Sequence, residues 1–122
     1  MNELSEVEVV VRDGVPIVRV RGEIDLSNAD DVLRSIEAAV DERSPGLVID
    51  LRALEFLDSA GVRLLFDAAR LVAHAGGRFV VLAEAASPAA RVLELAEATS
   101  LFPLVGTEAD AVDAASAGRE PA

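Results

Sequence analysis

The side chains able to do chemistry in this chain are few, and their spacing narrows them further. Ser59 follows Asp58 and precedes the small residues Ala60 and Gly61. It stands where an apolar run ending in Phe56-Leu57 gives way to a helical pattern. A serine nucleophile needs a base within hydrogen-bond reach. The one histidine, His74, lies at the far end of the same expected helix, roughly 22 Å away at 1.5 Å per residue. A catalytic triad is excluded on that geometry, and His74 is read as a helix C-terminal residue that favours the dipole. There is no Cys, so no thiol nucleophile, disulfide or thiolate metal site exists. There is no Lys, which removes Schiff-base chemistry and a phosphate-loop lysine. Asp25, Asp50 and Asp58 could offer oxygens to Mg²⁺. Their spacing matches no dense ligand loop, and single loop aspartates are usually caps or turns. The chain is therefore expected to be no enzyme, with no metal and no cofactor.

What remains is Ser59 as a site of modification. Its position is that of an N-cap residue, whose hydroxyl would accept a bond from an orphaned helix N–H, worth about 1 kcal/mol. Two other cap segments, Ser27-Asn28-Ala29-Asp30 and Thr107-Glu108-Ala109-Asp110, carry an acid three places on, near the capping-box pattern. Ser59 has Val62 there instead. Ala60 and Gly61 are expected to leave the first turn bare, so that a partner can approach the backbone. Gly in a first turn costs up to about 1 kcal/mol against Ala, which some gain should offset. A phosphate would add about −1.5 to −2 charges at Ser59. The helix N-terminus tolerates an anion, while Asp58 and Asp25 oppose it. The fold should survive and the local potential should change sharply, a basis for ejecting a partner.

The elements that must position these residues can be read from periodicity. Residues 7–12 alternate, with Val7, Val9 and Val11 on one face. Asp13-Gly14 is a hairpin turn signal, and residues 15–21 continue the alternation. A helix follows Ser27, with Ala29, Val32, Leu33, Ile36 and Val40 as its stripe, and Pro45-Gly46 stops it. Leu47 to Leu51 is a short strand; Arg52 to Gly61 is a loop. The next stripe is Val62, Leu65, Phe66, Ala69, Val72 and Ala73, closed by Gly76-Gly77. Arg78 to Leu82 is a strand, Ser87-Pro88 starts a helix, and Leu101 to Val105 is a weak strand that Pro103 confines to an edge. Thr107 caps a last helix. One domain over 1–117 is expected, with a frayed tail at 118–122.

This order, an N-terminal β-hairpin followed by βα units, predicts an α/β fold with a mixed, mostly parallel sheet and right-handed crossovers. Polar residues on several strands (Glu8, Arg19, Arg21, Asp50, Arg52) predict helices on one face only. Loops 22–27 and 52–61 both follow parallel strands, so Glu23, Asp25, Asp58 and Ser59 should share one surface at the strands' carboxyl ends.

The 122 residues carry 22 acidic and 11 basic side chains, a net charge of −11, with 52% hydrophobic residues. That core needs no disulfides. The acidic balance and the absence of Trp and Tyr argue against direct nucleic-acid binding. The acidic start and the lack of a membrane-length apolar run lead to the expectation of a cytoplasmic protein with no membrane contact. Missing Lys also excludes a phospho-aspartate receiver site, which uses one.

Gly22-Glu23-Ile24-Asp25 after a strand, then Leu47-Val48-Ile49-Asp50-Leu51, then Leu57-Asp58-Ser59-Ala60-Gly61 opening a helix, together resemble the STAS-domain anti-sigma factor antagonists. The resemblance spans nearly the whole chain, and the Asp-Ser-small-Gly turn is its most specific part. It implies the STAS fold and a regulatory binding module. The partner implied is a GHKL-type anti-sigma factor serine kinase, bound while Ser59 is unphosphorylated so that a sigma factor is freed. Phosphorylation of Ser59 would release the partner, and a PP2C-type phosphatase would reset the switch. The partner-binding residues implied or expected are Glu23, Asp25, Asp58, Ala60, Gly61 and Val62. Ala60 stands where the family often has a second hydroxyl, which points the modification to Ser59. Val62 replaces the usual Leu. A rival role is an accessory subunit of a membrane transporter complex, acting without phosphorylation.

Overall fold

An antiparallel hairpin opens the chain. The computed structural model describes residues 5–117, and the expected tail at 118–122 lies outside the described residues. Strand β1 (Ser5–Arg12) pairs with β2 (Val15–Ile24) in a register that sets Arg12 opposite Val15. Asp13 and Gly14 take φ of 52° and 79°, the left-handed pair that a two-residue hairpin of this twist requires.

The remaining elements run α1 (Ala29–Ala39), β3 (Gly46–Asp50), β4 (Leu54–Leu57), α2 (Ser59–His74), β5 (Arg78–Leu82), α3 (Pro88–Leu95), a 3₁₀ turn (Ala98–Ser100), β6 (Leu104–Val105) and α4 (Glu108–Ser116). The six-stranded sheet has the order β1-β2-β3-β5-β6, with β4 also pairing β2. Among the described residues only β1–β2 is antiparallel; every other pairing is parallel. The expected mixed, mostly parallel α/β sheet is what the chain forms.

Strand β4 replaces part of what the sequence presents as a loop. The Asp50 carboxylate accepts from the Arg52 amide at 3.0 Å, and the Leu54 amide donates to the Leu51 carbonyl at 3.1 Å. That turn swings the chain back onto β2, where Glu23 and Ile24 face Phe56 and Leu57. Strand β2 is thus shared, its first half pairing with β3 and its second half with β4. The last strand is shorter than expected. Residues 98–100 wind into the 3₁₀ turn, and only Leu104-Val105 pair, at the sheet edge as Pro103 requires.

Helices cover both faces of the sheet, which corrects the one-face expectation. Helices α1, α2 and α3 pack over Val18, Val20, Ile24, Leu47, Ile49, Leu51, Phe79 and Val81. Helix α4 sits on the opposite face, with Ala111, Val112 and Ala115 against Val15, Ile17, Val48, Val80 and Leu82. Each large side chain buried here contributes about 1.5–3 kcal/mol against exposure. Three of the strand-face charges that suggested open solvent, Arg19, Asp50 and Arg52, anchor α4. Glu108, in its first turn, accepts from Arg19 at 2.6 Å and Arg52 at 3.4 Å and lies 3.5 Å from Arg12. Asp50 is held by Arg52 at 2.8 Å and lies 3.4 Å from the Arg19 Nε.

The apolar face of β1 is less covered than its pattern suggests. Val7, Val9 and Val11 face the helix side, opposite Val20, Val18 and Pro16. The helices stop short of this edge, leaving the three valines 37%, 47% and 60% exposed.

Candidate functional site

The start of α2 is built by Asp58, not Ser59. Asp58 is the N-cap, with extended backbone, and its Oδ1 accepts from the Ala60 amide at 2.9 Å and the Gly61 amide at 3.1 Å. Asp outranks most residues as a cap because a carboxylate meets both the orphan N–H groups and the helix dipole. This corrects the sequence expectation by one residue. Ser59 becomes the first helical residue; it is exposed, and its hydroxyl makes no hydrogen bond among the described residues.

Gly61 is also placed differently from expectation. It is buried, and a Cβ there would meet Leu57 Cδ1 at 2.2 Å and Ile24 Cγ2 at 3.2 Å. The missing side chain lets α2 sit close over the ends of β2 and β4. That internal packing offsets the cost of glycine in a helix. Val62 is 8% exposed and belongs to the core. Ala60 is half-buried.

The second loop comes to the same end of the sheet. The Asp58 amide donates to the Ile24 carbonyl at 3.3 Å, so Glu23 and Asp25 adjoin the Asp58-Ser59 turn. Asp25 Oδ1 accepts from the Ser27 amide at 2.8 Å and the Ser27 hydroxyl at 2.6 Å. The Ser27 hydroxyl, then its amide, hold the Asp25 carboxyl below the ordinary carboxylate range. Asn28, not Ser27, precedes α1, and its side chain does not cap the helix. Its Oδ1 accepts from the Asp25 amide at 2.9 Å, and its Nδ2 donates to the Glu23 carbonyl at 2.8 Å and the Ser5 hydroxyl at 3.2 Å. Asn28 is 1% exposed and fully satisfied, and it fixes the shape of the 23–28 loop. Its part in the loop is hidden in sequence, where Ser27-Asn28 reads only as a cap.

The three aspartates weighed as metal ligands do not converge. Asp25 is tied to Ser27 and Asp58 to the α2 amides, while Asp50 lies under α4 in its arginine cluster. Burial alone would raise the Asp50 carboxyl; the Arg52 side-chain and backbone bonds and the Arg19 charge bring it below its usual value. His74 is exposed at the other end of α2 from Ser59.

Beside Ser59 runs a groove of about 760 Å³ between α2 and α3. Its walls are apolar, from Leu57, Val62, Phe66, Val92, Leu95 and Ala96, and Asp58, Ser59, Arg63 and Arg70 also line it. Sequence reading does not find it. Phe66 reads as an ordinary core residue, and Leu95, 85% exposed, falls outside the buried stripe of its helix. An apolar residue off the stripe is the one signal that could have marked it.

A sheet of this order, crossed by a helix whose first residue is an exposed serine after an aspartate cap, defines a class of domain. The STAS domain model matches residues 6–111, and the chain belongs to that family. It is similar to RsfB, an anti-sigma-F factor antagonist of Mycobacterium tuberculosis, with 33% identity over 121 residues and 98% of each chain covered. An anti-sigma factor antagonist of Mycobacterium paratuberculosis has a solved structure that superposes with a TM-score of 0.80 at 36% identity, over 91% of this chain and 93% of that one. SpoIIAA, an anti-sigma factor antagonist solved in its unphosphorylated form, shares the fold at 23% identity with a TM-score of 0.65, over 89% of this chain and 94% of that one. Among the described residues no helix is long and apolar enough to cross a membrane.

Proposed function

We propose that this chain is an anti-sigma factor antagonist that binds an anti-sigma factor kinase and is switched by phosphorylation of Ser59. The observation that carries this reading is the free Ser59 hydroxyl. Asp58 takes over capping, so the serine is left exposed at the helix start, with no hydrogen bond to its hydroxyl among the described residues. A serine that capped the helix would lose about 1 kcal/mol of helix stability on modification; this one has no capping bond to lose.

The unphosphorylated face, formed by Ser59 and Ala60 with Asp58, Glu23 and Asp25 beside them, holds a GHKL-type serine kinase and so frees a sigma factor. Gly61 and Val62 act from below, by setting how close α2 lies to the strands. Transfer of a phosphoryl group to the Ser59 oxygen puts about −1.5 to −2 charges next to the Asp58 carboxylate. The α2 dipole keeps the helix intact, while the partner meets a changed potential and leaves. A PP2C-type phosphatase reverses the step. The similarity to two anti-sigma factor antagonists, at 33% and 36% identity, supports the antagonist role. SpoIIAA, of the same fold, has a phosphorylated form.

The test uses an anti-sigma factor kinase purified with this chain. Ser59→Ala should bind as the parent does and resist release by ATP, while Ser59→Glu should bind at least about tenfold more weakly. Parent-like affinity for Ser59→Glu would remove the charge switch. A transporter subunit in place of a kinase in the purified complex would favour the accessory-subunit role.

A further inference from the structure

The groove between α2 and α3 carries a second recognition element. It is apolar at its base, open to solvent, and starts at Ser59. It continues past Phe66 and Arg70 to Leu101, which is 62% exposed. Its charges run against those of the whole molecule. In a chain of net charge −11, the charged side chains lining the groove are Arg63 and Arg70 on α2 and the Asp58 carboxylate, which is engaged by the α2 amides. Arg91 is not in the lining but is exposed one turn before Leu95 on α3, the spacing that sets it beside the groove's rim. Arg70 is shared with Asp67 at 2.7 Å. Arg63 and Arg91 form no ion pair or hydrogen bond among the described residues. Unpaired cations around an apolar trough, on an otherwise acidic surface, select an occupant that is apolar on one side and acidic along its flanks.

We propose that this groove docks an acidic amphipathic helix of the protein partner, its apolar face against Phe66, Val92 and Leu95 and its flanking carboxylates on Arg63 and Arg91. The inference rests on the reading of the chain as a partner-binding antagonist and names the chemistry of what it binds. It also joins the groove to the switch. Ser59 and Arg63 are four residues apart on α2, the spacing at which side chains meet on a helix. A phosphate on Ser59 draws the free Arg63 guanidinium to itself and places a dianion at the mouth of a groove that holds an acidic segment. One modification then removes an attraction and adds a repulsion.

The test is a titration of the full unphosphorylated chain with a synthetic helical peptide of about 16 residues, as long as α2 at 1.5 Å per residue. The peptide carries Leu at i, i+3, i+4 and i+7, with Glu on both flanks; a second peptide has Lys in place of Glu. Anisotropy reads affinity, and ¹H–¹⁵N spectra read the location. The Glu peptide should bind at least about tenfold tighter than the Lys peptide and shift the amides of Phe66, Val92 and Leu95. Arg63→Glu combined with Arg91→Glu should invert that preference. Leu95→Ser, at an exposed position that does not endanger the fold, should weaken both peptides, and Ser59→Glu should weaken the Glu peptide more than the Lys peptide.

Equal affinity for the two peptides, or shifts elsewhere on the surface, would overturn the proposal. So would dodecanoate filling the groove where neither peptide does, or sedimentation showing that a second copy of the chain occupies it. The titration involves no kinase. A silent groove therefore leaves the Ser59 switch standing, and an unphosphorylated Ser59 leaves the groove standing.

Discussion

At Gly61 a single hydrogen decides how α2 meets the sheet. Ala is the better helix former by about 1 kcal/mol, yet its Cβ would lie 2.2 Å from Leu57 Cδ1. Gly61→Ala should therefore destabilise, by a net of about 1–2 kcal/mol once overpacking is set against propensity. A urea melt measures this directly. Shortening Leu57 in the same chain should return part of the loss, because the two positions share one space; a strictly additive double variant would show that the clash is not the cause. The neighbouring residues divide their labour in the same concrete way. Asp58 takes the amides of α2, Gly61 takes the close contact, and Ser59 is left with neither duty. Two of these duties read differently in sequence. Serine and aspartate both make good N-caps, so Asp-Ser before a helix does not tell which one caps. A glycine inside a first turn looks open until the residue packed against it is known.

Among the elements, α4 depends on charge more than any other helix. Its buried face is three small side chains, and Glu108 ties its first turn to arginines from β1, β2 and the β3–β4 turn. Asp50 supports that cluster from below with a side chain only 6% exposed. Its carboxyl titrates below its ordinary value of 3.8 in the folded chain. Its contribution to stability is then complete above about 3.8 and is lost as pH falls through the lower folded value. Asp50→Asn should cost about 2 kcal/mol at pH 7, the scale of hydrogen bonds to a charged partner. The gap between variant and parent should close below pH 3.8, as denaturant midpoints at a series of pH values would reveal. A gap that stayed constant would assign the loss to packing. This helix also marks the limit of what was legible from residues alone. The hairpin, α1, α2, β3, β5 and the joining of loops 22–27 and 52–61 at one end all follow from periodicity and turn chemistry. The placement of α4 does not, because strand charges that face water and strand charges that face a helix cap look identical in one dimension. Strand β4 was equally hidden, since two of its four residues, Glu55 and Phe56, are both exposed and break the alternation. The groove needed two helices at once, and no single stripe contains it.

Across the whole molecule, the acidic surface and the apolar core are set against each other at one border. Val7, Val9 and Val11 line an outer strand with open solvent beyond it, and Glu6 and Glu8 flank Val7. At neutral pH the −11 charge keeps such borders apart by colloidal repulsion. Near the isoelectric point of about 4.4 that protection vanishes, and the unpaired ladder of the outer strand becomes a template for its neighbours. Light scattering should climb as pH approaches that value at low ionic strength, and Val9→Lys should suppress the climb without altering the melt at pH 7. Identical turbidity in the two chains would place the sticky surface elsewhere. If the outer strand is responsible, negative charge is the solvent coat of this domain as well as the language of the switch proposed at Ser59, and acidifying its surroundings would turn the chain toward fibrous assembly.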